Sequence, residues 1–269
     1  MKRTLLCLTF FLSSLYAQEP YHTTAYLPEV LETWSLLSAS QYQTDHFWNC
    51  SSKKLPTYNK FKKNTVYFYV EEGVCKNLSL FLNTAYADVE ESLNGKSRGF
   101  EDCEVGGKFR LFQKNTLALT FQATGIVPAG ERKSSLRYGK WGAEGGILIA
   151  DLFSILERKC WYDLGLLYRS FQGFPSDQLR AQFSLGCHLC SQLYLVGTSK
   201  LEFGLWNGRE GYRGNNVVLH PNYRLLKIQV DGFFSLCSYV SFTLGAFYHV
   251  WGQNCGTSGG FQGGAKFDF

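Results

Sequence analysis

After Ala17 the chain contains no long hydrophobic run. A spanning helix needs roughly 18 to 20 apolar residues in succession, so nothing in the remainder can cross a bilayer in that form. Methionine is nearly absent, with one residue, and proline is scarce, with six. Mean hydropathy is only -0.15, and these features together argue against a helical membrane protein. No heptads and no internal repeat motif appear. Charge of one sign is also missing: 27 Lys and Arg against 22 Asp and Glu give a net +5 spread along the chain, so no nucleic-acid partner is expected.

Recognisable catalytic chemistry is missing as well. No phosphate-binding glycine loop or calcium loop occurs. The five histidines, His22, His46, His188, His220 and His249, fall in no Ser or Asp constellation of the kind that nucleophilic hydrolysis requires. An enzyme is therefore not expected, nor is a cofactor. Cys187, His188 and Cys190 form a CHLC motif, but a tetrahedral metal set would need distant ligands, and no metal site is expected.

Aromatics, by contrast, make up 16% of the chain, and glycine is abundant, with 27 residues. The pattern has period two, the side-chain alternation of a strand. It gives about twelve extended segments, from Glu29–Thr44 to Ser258–Phe269. Most match or exceed the 9 to 11 or so residues that a tilted strand needs to cross a bilayer, and several exceed the usual length in soluble sheets. Brief turns such as GVCKN and QKNT alternate with longer stretches, DHFWNCSSKKLPTYN and VEESLNGKSRGF. Short turns on one side and longer loops on the other are the pattern of outer-membrane barrels.

The termini support this reading. Lys2 and Arg3 precede an apolar stretch that ends near Ala17, the form of a secretory signal peptide over residues 1–17. Residues 18–269 then form a single domain. At the other end, Phe269, Phe267, Ala265, Gly263 and Phe261 share one strand face. Phe269 would finish the strand that closes the barrel, and it matches the terminal aromatic read by outer-membrane insertion machinery.

Charge assigns the faces. A cation in lipid at the midplane costs roughly 2–4 kcal/mol, so charged residues should face inward. In DCEVGGKFRLF, Asp102, Glu104, Lys108 and Arg110 share one face, and Cys103, Val105, Gly107, Phe109 and Leu111 the other. The same division places Lys140 with Glu144, Asp163 with Arg169, Lys200 with Glu202, and Arg224 with His220 in the interior, beside Arg180. In the segment from Tyr239 to Val250 it turns Tyr239, Ser241, Thr243, Phe247 and His249 inward. Lys108, Arg110, Lys140, Glu144, Arg180, Lys200, Glu202 and Arg224 are the candidate channel lining. Such a mixed set allows two interiors, a wet lining or ion pairs that plug the lumen. Val105→Arg should destabilise the barrel, and Gly106→Ser on the lumen face should be mild.

Of nine cysteines, Cys7 lies in the leader. The other eight, Cys50, Cys75, Cys103, Cys160, Cys187, Cys190, Cys237 and Cys255, are disulfide-capable in an oxidising envelope. This density resembles the cysteine-rich outer membranes of obligate intracellular bacteria. The segments GFEDCEVGGKFRLF, TLALTFQATGIVPAG and HPNYRLL resemble the outer-membrane proteins of the phenol meta-degradation pathway, transporter-like barrels. The matching positions are Gly99, Asp102, Gly106, Lys108 and Arg110, then Gly125, Pro128 and Gly130, then Pro221 and Tyr223. Glu101 and the cysteines depart from that pattern. The resemblance implies the architecture and a transport-like role.

The expectation is an all-β, closed antiparallel transmembrane barrel of about twelve strands in the bacterial outer membrane, in contact with its lipid. Its function would be a narrow passive channel or transporter for small solutes. A structural or surface-interaction protein stabilised by disulfides is the alternative, and an outer-membrane enzyme comes third.

Overall fold

In lipid every backbone N–H and C=O must find a partner within the protein, so strands can cross only as a sheet without edges. The computed structural model, which describes residues 24–92, 95–129, 139–173, 175–208, 220 and 222–269, meets this condition. The signal peptide expected at residues 1–17 lies outside the described residues. The strands are β1 (Thr33–Trp48), β2 (Lys54–Cys75), β3 (Leu78–Glu91), β4 (Gly95–Phe100), β5 (Cys103–Lys114), β6 (Leu117–Val127) and β7 (Gly142–Ile155). They continue as β8 (Arg158–Phe171), β9 (Gln178–His188), β10 (Leu193–Gly204), β11 (Arg224–Cys237), β12 (Val240–Gln253) and β13 (Cys255–Asp268).

All neighbours are antiparallel and follow chain order, and β1 pairs with both β2 and β13. The upper part of β3, Tyr86–Glu91, pairs with β4, and its lower part, Leu78–Asn83, pairs with β5. Those two segments are one stave broken at Glu101 and Asp102, so the closed barrel has twelve staves. The closure continues to the last residue: Thr33 N donates to Phe269 O and Phe269 N to Thr33 O, both at 2.9 Å.

The short turns lie at the end where Thr33 and Phe269 meet, the periplasmic end in this fold. Between β7 and β8 only Leu156 and Glu157 intervene, both at positive φ, 50° and 63°. A two-residue hairpin turn with this twist normally recruits Asn or Gly. At the opposite end two stretches that read as loops are mostly strand. DHFWNCSSKKLPTYN continues β1 to Trp48 and starts β2 at Lys54, and VEESLNGKSRGF makes the β3–β4 hairpin.

Residues 24–32 do not extend β1, as the alternation had implied from Glu29. They run as a strap from the inner face of β6–β8 to β1 and β2, on the far side of the ring. Thr24 Oγ1 donates to Asp163 Oδ1 at 2.7 Å and Thr120 Oγ1 to Ala25 O at 2.6 Å. Ala25 is fully buried among Ala118, Leu148, Ala150 and Leu167. The strap leaves the lumen at Val30, which bridges to Gly73. Leu31 N donates to Gly73 O at 2.8 Å. A Cβ on Gly73 would stand 1.9 Å from the carbonyl oxygen of Glu29, so only glycine admits the strap this closely.

The outer surface is apolar: Phe68, Leu80, Phe121, Leu166, Val230 and Leu244 all point outward and are exposed. The inner surface buries Lys108, Gln122, Thr120, Glu71 and Asp231. Val105 is half exposed on the outer face, so Val105→Arg should cost about 2–4 kcal/mol near the membrane midplane. That loss is read as a lowered urea midpoint of the lipid-reconstituted barrel. Gly106→Ser is not the mild change expected from the sequence. A Cβ there would lie 2.4 Å from the Ala123 carbonyl oxygen and 2.5 Å from the Phe81 ring, and this variant too should unfold at lower urea.

Candidate functional site in the barrel lumen

Strand alternation carries charge into a space where it meets charge from other strands. Arg169 on β8 donates from Nε to Glu144 Oε2 of β7 at 2.7 Å and from Nη2 to Glu104 Oε1 of β5 at 2.6 Å. Arg180 on β9 donates from Nη1 to the same Glu144 oxygen at 2.8 Å and from Nη2 to Glu202 Oε1 of β10 at 3.3 Å. Tyr223 Oη donates to Glu202 Oε2 at 2.6 Å, and Asn83 Nδ2 to Glu104 Oε2 at 3.2 Å. Each guanidinium thus bridges two carboxylates, with one charge-assisted N–H···O bond to each. Lys63 on β2 pairs with Glu101.

A second group lies nearer the periplasmic end. Lys108 Nζ contacts Glu71 Oε2 at 2.8 Å with both side chains excluded from solvent, and Tyr69 and Ser79 also donate to that carboxylate. Below it runs the strap, fixed to Asp163. On the opposite wall Asp231 accepts from Gln229 Nε2 at 2.8 Å and from Gln262.

Towards the outer end a cavity of about 210 Å³ remains. Among the described residues its charged lining is Lys63, Arg169, Lys200 and Lys227, with Glu202 as the single acid. Tyr42, Phe61, Tyr67 and Tyr223 form its aromatic walls, and His249 and Cys255 complete one side.

The lining expected from the sequence divides accordingly. Glu144, Arg180 and Glu202 meet in the ion network, Lys108 joins Glu71, and Lys200 lines the cavity. Arg110 lies at the periplasmic mouth, where Nη1 donates to Lys76 O at 3.2 Å. Two residues are not in the lumen. Lys140 precedes β7 and is exposed, because the strand starts at Gly142 rather than Arg137. Arg224 lies on the outer face of β11, with its guanidinium carbon 3.8 Å above the Phe203 ring. Lys227, Gln229 and Asp231 are the buried, inward residues of that strand. His220 and Tyr239, also expected inside, are exposed. Sequence reading missed Glu71, Lys63 and Lys227. All three carry the inward parity of their strands, and that was the signal to use.

The cysteines separate too. Cys160 and Cys187 are directly paired across β8 and β9 and form a disulfide, Cα–Cα 4.1 Å. This occupies the first sulfur of the CHLC motif. Cys50 is exposed at the outer hairpin, and Cys75, Cys190 and Cys237 are exposed at periplasmic turns. Cys103 is partly buried, and Cys255 is buried with its thiol donating to Arg224 O at 3.2 Å.

At the outer rim, outside the spanning segment, Asp177 joins the loop before β9 to that after β10. Its Oδ2 accepts from Asn207 Nδ2 at 2.7 Å. Partial burial raises its pKa, but hydrogen bonds from Asn207, Ser170 and Tyr168 outweigh this and hold the carboxyl below its ordinary value.

If the strap fills the periplasmic half of the lumen, loosening its anchor should widen the path. Asp163→Ala removes the acceptor of both Thr24 Oγ1 and Ala25 N, and its single-channel conductance in planar bilayers should exceed that of the unaltered barrel. Unchanged conductance would mean that the strap does not limit passage.

No family model and no curated protein matches this chain. Solved structures do. The crystal structure of an outer-membrane channel from Pseudomonas putida F1 superposes with a TM-score of 0.72 at 14% identity, over 94% of this chain and 100% of that one. A NanC porin structure gives 0.53 at 8% identity, over 88% and 100%. At this level of identity the likeness is one of fold. The chain has the closed-barrel fold of bacterial outer-membrane proteins, and its apolar outer surface belongs in that membrane.

Proposed function

We propose that the barrel is a narrow passive channel or transporter for small solutes. The observation that carries this reading is the cation-rich cavity at the outer end of a lumen otherwise closed by ion pairs and a strap held by few hydrogen bonds. Twelve staves fall between barrels filled by their own side chains and the 16 to 18 or so of open porins, so the path is narrow. The fold shared with an outer-membrane channel supports the same reading. Secretion would use residues 1–17 as a removable signal peptide. The pathway named by the resembling family is not carried over as a substrate.

Cations that face the path favour anions. Reversal potentials across a salt gradient should therefore show a weak anion preference, and it should fade at 1 M salt, where screening acts within about 3 Å. Arg110→Glu with Lys200→Glu should shift the reversal potential towards cations. A folded barrel with no conductance and no solute uptake into liposomes would replace this reading with the second one, a structural envelope protein. The specific observation behind that alternative is the trio of exposed thiols, Cys75, Cys190 and Cys237, on one rim beside the Cys160–Cys187 disulfide.

Assembly rests on the closing strand. Phe269→Asp places charge beside the last pairing between β1 and β13, and it removes the aromatic proposed as the signal to the insertion machinery. Secretion should continue while the heat-modifiable barrel in the outer-membrane fraction falls severalfold. Normal amounts of that barrel would refute the role of Phe269.

A further inference from the structure

Resting on the channel reading, the cavity is specific enough to indicate the chemistry of its occupant. Three features converge on it. The first is charge. Lys63, Lys200 and Lys227 reach the wall from β2, β10 and β11. Glu101, which holds Lys63, is not part of the wall. Lys227 is directly paired with His249 across the β11–β12 ladder, and its ammonium packs 5.1 Å from the Phe247 ring centroid. A carboxylate entering here meets several ammonium groups from different strands.

The second is an unpartnered polar atom. His249 is 4% exposed, and its Nδ1 lies 3.2 Å from Gly256 O. A carbonyl oxygen only accepts, so Nδ1 carries the proton, and Nε2 of the neutral ring is left as an acceptor. Nε2 is buried without a hydrogen-bond partner, although buried polar atoms normally have one. The wall at this point calls for a donor, and the common small donor on an organic acid is a hydroxyl.

The third is shape. Tyr42 lies edge-on to Phe61 with centroids 5.6 Å apart, and 5.5 Å from the His249 ring. These rings offer flat apolar surface between the cations and the unpartnered nitrogen. An apolar cavity of about 150 Å³ holds benzene, so the 210 Å³ here suits a six-membered ring with small substituents.

We infer that the cavity is a binding site for a small hydroxylated carboxylate of about one ring. The carboxylate sits against Lys200 and Lys227, the ring body lies on Tyr42 and Phe61, and a hydroxyl donates to His249 Nε2. No bond is made or broken. The site retains an anion from the exterior before passage.

Isothermal titration calorimetry of the full barrel in detergent, with three matched probes, tests this. The probes are 4-hydroxycyclohexanecarboxylate, cyclohexanecarboxylate, which lacks the hydroxyl, and 4-(hydroxymethyl)cyclohexanol, which lacks the charge. The hydroxy acid should bind best. Loss of the hydroxyl should weaken binding about fivefold, as expected for one hydrogen bond, and loss of the charge about tenfold or more. In His249→Leu the hydroxyl preference should vanish and the charge preference persist; in Lys227→Met the charge preference should shrink, because Lys200 remains, and the hydroxyl preference persist. Absence of binding by the hydroxy acid, equal binding of all three probes, or an unchanged hydroxyl preference in a heat-modifiable His249→Leu barrel would each overturn the site. If His249→Leu does not fold, the three probes on the unaltered barrel and on Lys227→Met decide alone. Conductance without probe binding would sink the site and leave the channel standing, and probe binding without conductance would do the opposite.

Discussion

Pairing of backbone groups in a solvent that offers none is the constraint on which this structure depends. Lipid cannot accept or donate the hydrogen bonds that an open sheet edge would leave unmade. The sheet therefore has to close, and it does so where β13 runs the length of β1 and Phe269 exchanges two hydrogen bonds with Thr33. Closure fixes the faces. Alternate side chains must suit lipid, and those between them are enclosed in a lumen that also excludes most water. Buried polar groups remain costly unless paired, so the inner face of a narrow barrel has to solve the same problem a second time with side chains.

The solution differs along the axis. Near the periplasmic end Lys108 and Glu71 are fully withdrawn from solvent with Tyr69 and Ser79 around them. Removing one partner of such a pair leaves an uncompensated buried charge, which typically costs about 3–5 kcal/mol, whereas replacing both can be neutral. On the wall from β5 to β10, Arg169 and Arg180 each span two carboxylates and couple staves that are not neighbours in the sheet. That wall is rigid because moving one strand would separate several charges at once. The opposite wall carries a cluster of Tyr42, Phe61, Ala87, Val89 and Phe247 beside Lys63 and Lys227, and the cavity lies between these two surfaces. Its lining draws on the paired groups themselves, among them Lys63, Arg169 and Glu202.

Much of this was legible in the sequence because a barrel repeats one simple rule. Strand alternation with charge on one side assigned Val105 outward and Lys108 inward without knowledge of any contact. It failed where the strand start was misjudged. In the segment from Arg224 to Asp231 the adjacent Leu225 and Leu226 fit either face, and anchoring the parity on Arg224 rather than Lys227 reversed it. Lys140 failed for a related reason: alternation says nothing about where a strand begins, and β7 starts two residues later. The end of the strap, Glu29 to Glu32, continues the period-two pattern of β1 and so reads as its start. The strap's contacts with Asp163 and Thr120 lie 139 and 95 residues away in sequence, and periodicity holds no information at that range. The ion partners were hidden for the same reason, since parity places Glu144 inside but does not say which arginine meets it.

Strap and cavity occupy opposite ends of the same lumen, and that order constrains any mechanism of passage. The ladder strands are held by continuous backbone pairing on both sides, whereas, among the described residues, 24–27 are held to the wall by two hydrogen bonds to Asp163 and one each with Thr120 and the Thr116 carbonyl. Segments with so few bonds are the ones that open first, so the movable part of the molecule is the strap and not the wall. A solute in the cavity does not touch the strap directly. It can favour an open strap only by interacting differently with the two arrangements, and the side chains placed to transmit that difference are the inward groups between them. Asp163, which anchors the strap, and Lys108, which Glu71 holds, stand in that layer. On the channel reading, the charge that keeps the lumen polar is therefore also the physical link between the proposed solute site and the strap.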